Sequence, residues 1–105
     1  MITLVSSFYN EEEVIPTFHR ELKDFLLHYP QLEVILVNNG STDKTLHLLK
    51  KLNEESKTVK ILNNSFGRGY GDGIQAGMSI SNNINIAIFP SDLQFSFEDL
   101  DLIVK

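Results

Sequence analysis

The 105 residues carry nine Lys and Arg against fourteen Asp and Glu, a formal charge of -5, with 42% hydrophobic residues and no Cys. That length holds one small domain or a piece of a larger one, and excludes two complete domains. Without thiols there is no disulfide framework, thiolate metal site or Cys nucleophile, and the acidic balance repels a phosphate backbone, so nucleic acid is not an expected partner.

The chain opens on an apolar run, Met1 to Val5, which has no basic n-region and meets Ser6 and Ser7 too early for a signal peptide. The longest apolar runs, such as Val34 to Val37 and Ile86 to Phe89, fall far short of the roughly 20 residues a bilayer requires. A cytoplasmic chain is therefore expected, with any contact to the cytoplasmic membrane face left to sequence beyond it. Along the chain, short β-type runs alternate with stretches whose apolar residues recur at three and four. The predicted strands are Ile2 to Ser6, Glu33 to Val37, Val59 to Leu62 and Asn85 to Phe89. Between them run helical stripes of Phe18, Leu22, Phe25 and Leu26, then Leu46, Leu49 and Leu52, then Ile74, Gly77, Met78 and Ser81. Pro16 belongs in the first turn of helix one, after a turn at Glu11 to Glu13. Ser41 or Thr42 is predicted to cap helix two, and Ser96 with Asp99 forms a capping-box pattern for a fourth helix. No repeat or linker divides the chain. Strands separated by helices predict an α/β fold, an open parallel sheet with helices on both faces.

Ligands of such sheets sit outside the carboxyl ends of the strands, and the four loops there are polar. Ser7 to Glu13 follows the first strand, Asn38 to Asp43 the second, Asn63 to Gly73 the third, and Pro90 to Gln94 the fourth. The run Gly67-Arg68-Gly69-Tyr70-Gly71-Asp72-Gly73 lets backbone approach a ligand and then opens a helix whose free amides favour an anion. The same glycines also suit plain turns or tight helix packing, or a distorted dinucleotide loop. Asn38 and Asn39 are turn formers or, equally, amides able to read a nucleobase edge. Asp92 is a helix cap or an exposed acid near a ligand. Glu11, Glu12 and Glu13 read as a solvated face, with one of them able to turn to the cleft. The three His share no stripe and read as surface residues.

Taken together, Phe8-Tyr9-Asn10-Glu11-Glu12, Val37-Asn38-Asn39-Gly40-Ser41-Thr42-Asp43, Phe66-Gly67-Arg68-Gly69 and Ser91-Asp92-Leu93-Gln94 resemble family 2 glycosyltransferases, in order and in spacing, close to the polyprenyl-phosphate sugar transferase branch. The resemblance implies a Rossmann-like, GT-A nucleotide-binding half over residues 1–105, cut at its C-terminal side. It implies transfer of a sugar from a nucleotide-diphosphate donor to an acceptor hydroxyl or lipid phosphate. The alternative is a catalytically silent nucleotide-binding or interaction module of the same fold. Phe8, Tyr9, Glu11, Asn38, Asn39, Gly67, Arg68, Gly69, Ser91 and Asp92 would surround the nucleotide sugar, with Asn39 at the base and Asp92 holding Mg²⁺ or Mn²⁺. No catalytic base is nameable, since the acceptor half of the family follows the metal motif. Partners implied are the nucleotide sugar, an acceptor sugar or lipid carrier, and either a missing C-terminal half or a second copy. Two departures stand out. Asn38-Asn39 replaces the family's paired aspartates, which opens the base choice to uracil or cytosine. Pro90 occupies the first carboxylate position of the metal motif and should weaken metal binding.

Overall fold

The computed structural model describes residues 2–64 and 70–88. Their elements in chain order are β1 (Ile2–Phe8), α1 (Ile15–His28), β2 (Glu33–Asn38), α2 (Thr45–Glu55), β3 (Val59–Asn63), α3 (Tyr70–Ser79) and β4 (Asn85–Ile88). The strands form one parallel sheet in the order β3-β2-β1-β4. From β1 the chain moves outward through β2 to β3, then crosses to the other side of β1. This reversal of strand order places a topological switch point at β1, where open α/β sheets hold ligands.

Alternation along the strands divides the core into two layers. Leu4, Phe8, Val34 and Leu36 face α1 and α2, whereas Val5, Ile35 and Val37 face Ile74 of α3. The sheet therefore carries helices on both faces, as the periodicity predicts. In α1 the buried residues Ile15, Phe18, Leu22 and Phe25 recur at helical spacing. Pro16 lies in the first turn of this helix, where its missing amide costs no hydrogen bond, and Val14 N–H closes the preceding turn on Glu11 O at 3.1 Å. Leu26 is half-buried against the same core.

Several expectations are corrected. β1, β2 and β3 each run one or two residues further than the apolar runs alone indicate, so Phe8, Asn38 and Asn63 are strand residues. Neither Ser41 nor Thr42 caps α2, which begins at Thr45. Lys44 stands at the N-cap without a side-chain bond, and Asp43 just before it accepts from the Thr45 N–H at 2.9 Å and from its hydroxyl. The inward stripe of α2 is Thr45, Leu49 and Leu52 rather than one containing Leu46. On α3, Met78 is exposed and Ser81 lies past the helix end. The capping pattern of the fourth helix lies outside the described residues.

Gly77 sets how closely α3 approaches the sheet. A Cβ there would lie 2.6 Å from Val5 Cγ1 and 3.0 Å from Val37 Cγ2, so only a glycine lets the helix sit at this height. Gly77→Ala is expected to destabilise by about 1–2 kcal/mol, overpacking outweighing the better helix propensity of Ala. A lower urea midpoint at unchanged slope would register it.

Candidate functional site

At the carboxyl ends of β1 and β2 the two following loops are laced together. Asn10 N–H donates to Ser41 Oγ at 2.9 Å, Thr42 N–H donates to Asn10 Oδ1 at 2.8 Å, and Glu11 N–H donates to Thr45 Oγ1 at 2.9 Å. Asn10 adopts a positive φ of 48°, a conformation that Asn tolerates better than most residues, and this turns its side chain across to the second loop. Gly40, at φ 77°, supplies the matching reversal on the other side. Asp43 joins the lacing through Glu12 N–H at 3.4 Å. Burial tends to raise the Asp43 carboxyl, but its bonds from the Thr45 hydroxyl and amide and from Glu12 outweigh this and hold it below the usual aspartate range. The two loops thus form a single hydrogen-bonded rim.

Beneath the rim lies a ladder of asparagines. Asn38 pairs in register with Phe8 on one side and Asn63 on the other. Its Nδ2 donates to Asn63 Oδ1 at 2.8 Å, while its buried Oδ1 has no partner among the described residues. Such an acceptor costs roughly 1–3 kcal/mol until a ligand or water donor reaches it. Asn39, only 5% exposed, donates its backbone N–H to Phe8 O at 2.8 Å. Its Oδ1 accepts from Asn64 Nδ2 at 3.0 Å, and the same nitrogen donates to Asp72 Oδ2 at 3.0 Å. Asp72 stands in the first turn of α3, where negative charge is favourable. One residue on, a Cβ at Gly73 would press against Ser7 Oγ and lie 3.0 Å from Asn39 Cγ. The start of α3 therefore packs directly on the Asn39 amide.

The predicted site residues separate accordingly. Asn38 and Asn39 come together at the sheet end. Tyr9 is exposed on the rim, and Glu11 turns its Oε1 back to Tyr9 N–H at 3.2 Å. Phe8 has a fully buried ring that meets Phe18 edge-on at 5.1 Å, while its backbone carbonyl accepts from Asn39 N–H. Gly67, Arg68, Gly69, Ser91 and Asp92 lie outside the described residues. Among the described residues no group of three His, Asp or Glu side chains could hold a metal ion, and no helix is long and apolar enough to cross a membrane. His19 is not a plain surface residue, since its Nε2 lies 2.6 Å from Glu55 Oε2 and ties α1 to α2. That contact, with the nearby charges of His19 and Lys23, keeps the Glu55 carboxyl below its ordinary range despite some desolvation.

Asn64 and Asp72 went unnoticed as site residues in the sequence. Asn64 reads there as part of an Asn-Asn-Ser string and Asp72 as one residue of a glycine-rich loop. The available signal was the register, which sets polar residues side by side at the ends of β2 and β3.

The Glycosyl transferase family 2 pattern matches residues 3–105. The uncharacterized glycosyltransferase YkcC of Bacillus subtilis is 31% identical over 93 residues, 88% of this chain and 29% of its own length. The prophage bactoprenol glucosyl transferase homolog of Escherichia coli is 32% identical over 94 residues, 88% of this chain and 30% of its own. Among solved structures, Staphylococcus aureus TarS 1–349 in complex with UDP-GlcNAc superposes with a TM-score of 0.82 at 20% identity, covering 98% of this chain and 30% of that one. The mannosyltransferase PcManGT of Pyrobaculum calidifontis, in complex with GDP-Man and Mn²⁺, superposes at 0.70 and 21% identity, covering 87% and 27%. The chain spans about a third of the length of the curated relatives it matches.

Proposed function

The chain belongs to glycosyl transferase family 2, and from that premise we propose that it binds the nucleoside diphosphate part of a nucleotide sugar as the donor half of a sugar transfer. The observation that carries this is the hydrogen-bonded rim of the β1 and β2 loops standing over buried Asn39 at the switch point of a parallel sheet. Such a rim can take a planar base at its floor and present polar backbone to a ribose and phosphates. The superposition on structures holding UDP-GlcNAc and GDP-Man supports the reading. Several relatives are named as bactoprenol glucosyl transferases or a homolog of one, which supports an acceptor hydroxyl or a lipid-carried phosphate as the other partner.

Asp92 is the residue to hold Mg²⁺ or Mn²⁺, one carboxylate sharing a hard cation with the diphosphate oxygens, as such ions commonly are held. Bound there, the metal would neutralise charge on the departing diphosphate. Calorimetry of the chain with UDP, GDP and CDP, with and without Mn²⁺, tests both parts. Mn²⁺ is expected to tighten diphosphate binding, and Asp92→Ala to abolish that gain while leaving the metal-free affinity within about twofold. Failure of every nucleotide to bind, with or without metal, would overturn the reading and favour a silent module that keeps only the fold.

A further inference from the structure

From Gly73 to Ser91 the sequence contains no Asp, Glu, Lys, Arg or His, the longest such interval in a chain of formal charge -5. Its described part is α3 beyond the first turn, the turn that follows, and β4, which is an edge strand among the described residues. The polar side chains of that turn are tied inward: Asn82 donates to Glu33 through its backbone and side-chain amides, and Ser81 and Asn83 donate to Thr3. The apolar ones are left outside. Among the described residues, four of the six exposed large hydrophobic side chains are Met78, Ile80, Ile84 and Ile88, with Ile84 99% exposed. On the face of the sheet where α3 packs over β1 and β2, Ile86 and Ile88 stand at the edge, in register with Thr3 and Val5, and Ile88 is 48% exposed. A single exposed isoleucine is ordinary, but a cluster beside a sheet edge marks a contact surface. Edge strands commonly carry a Lys or a Pro that keeps other strands away, and Asn85 to Ile88 has neither.

We infer that this face is a self-association surface, on which β4 pairs antiparallel with β4 of a second copy about a two-fold axis. Charge selects that partner. Two copies of a chain with charge -5 repel one another except where neither presents a charge, and a partner of opposite charge finds nothing on this face to pair with. Antiparallel pairing of a strand with itself is two-fold symmetric, so the edge is its own complement and the assembly closes at two copies. In a register centred on Ile86, Ile84 of one copy stands opposite Ile88 of the other, which matches the exposed side chains with each other. Because the two β4 strands run in opposite directions, the rims of the β1 and β2 loops lie at opposite ends of the joined sheet, and neither is covered. The inference stands apart from the nucleotide reading proposed above.

The test is sedimentation velocity on the full chain from low to high micromolar concentration, with Ile84→Lys, Ile88→Lys and Leu27→Lys variants, each checked for folding by circular dichroism. The parent is expected to show one monomer–dimer equilibrium that tightens as salt screens the charge shared by the two copies. Either isoleucine substitution sets an unpaired charge against an apolar side chain of the other copy and should weaken the dimer about tenfold or more. Leu27→Lys, an equally exposed position on α1, should leave it unchanged. Hydrogen exchange at Asn85 to Ile88 should slow as the protein concentration rises. A chain that stays monomeric throughout, a dimer that survives both isoleucine substitutions, one that loosens in salt, or growth into open-ended aggregates overturns the inference.

Discussion

A Glu33→Ala chain is expected to lose about 3 kcal/mol of stability at neutral pH, the lower end of the cost of breaking a buried ion pair, because Lys60 retains access to water. Glu33 sits at the amino end of β2, opposite the candidate site, and is almost fully buried. Its carboxylate accepts from Thr3 Oγ1 at 2.7 Å, Lys60 Nζ at 2.7 Å, Asn82 N–H at 2.9 Å and Asn82 Nδ2 at 2.7 Å. These bonds fasten the turn between α3 and β4 beneath the sheet. Burial by itself would raise the Glu33 carboxyl; Lys60, the Asn82 amides and Thr3 outweigh it and bring the group from 4.5 to about 2. Since the folded value lies below the unfolded one, the stabilisation is complete above about pH 4.5 and drains away as the pH falls toward 2. A shift of that size corresponds to about 3 kcal/mol at one pH unit per 1.4 kcal/mol. Urea titrations from pH 7 down to pH 2.5 should therefore show a steep acid limb in the parent. Glu33→Gln should show a shallower one, retaining the contribution of Asp43, whose carboxyl is lowered in the same direction. Equal acid limbs in parent and variant would contradict the assignment.

Phe8→Ala is expected to cost about 3–5 kcal/mol, enough to remove much of the stability of a domain this small. The ring is fully buried, stacks edge-on with Phe18 at an interplanar angle of 79°, and joins β1 to α1 immediately below the rim. Phe8→Leu separates the two roles the position could have. A core residue tolerates that exchange at under about 1.5–2 kcal/mol, and the nucleotide affinity stays within about twofold. A residue stacking on a ligand would keep its stability and lose affinity. Chemical denaturation and calorimetry on the same preparations give both numbers, and the structure calls for the first pattern.

The remaining network, from Thr3 through Ser81 and Asn83, shows why Glu33 was hidden in the sequence. Thr3, Ser81 and Asn83 are separated by 78 and 80 positions, yet Ser81 Oγ donates to Thr3 Oγ1 at 2.9 Å and Asn83 Nδ2 donates to it at 2.9 Å. Nothing in a linear reading distinguishes this Glu at a strand start from an exposed one. It is the parallel pairing of Thr3 with Glu33, and of Ile2 with Asn85, that assembles the cluster.

What the sequence determined by itself is the alternation of elements, the parallel sheet with helices on both faces, and the loops that carry the site. Those are consequences of local period: four short β-branched runs, helical stripes between them, and polar residues at each strand end. The fate of single side chains was decided only by the tertiary structure. Phe8 looks like the first residue of a binding loop until the ladder extends through it and buries its ring. Ser41 and Thr42 look like caps until Asn10 draws them across to the first loop, leaving the first amide of α2 to Asp43. Asn64 reads as one of a string of loop asparagines until its Nδ2 meets Asn39, 25 positions back, and Asp72, 8 positions on. The reason is common to all three. Period and propensity act within a few residues, whereas the strand register and the polarity of a hydrogen-bond chain are fixed by partners that only the folded sheet brings within 3 Å.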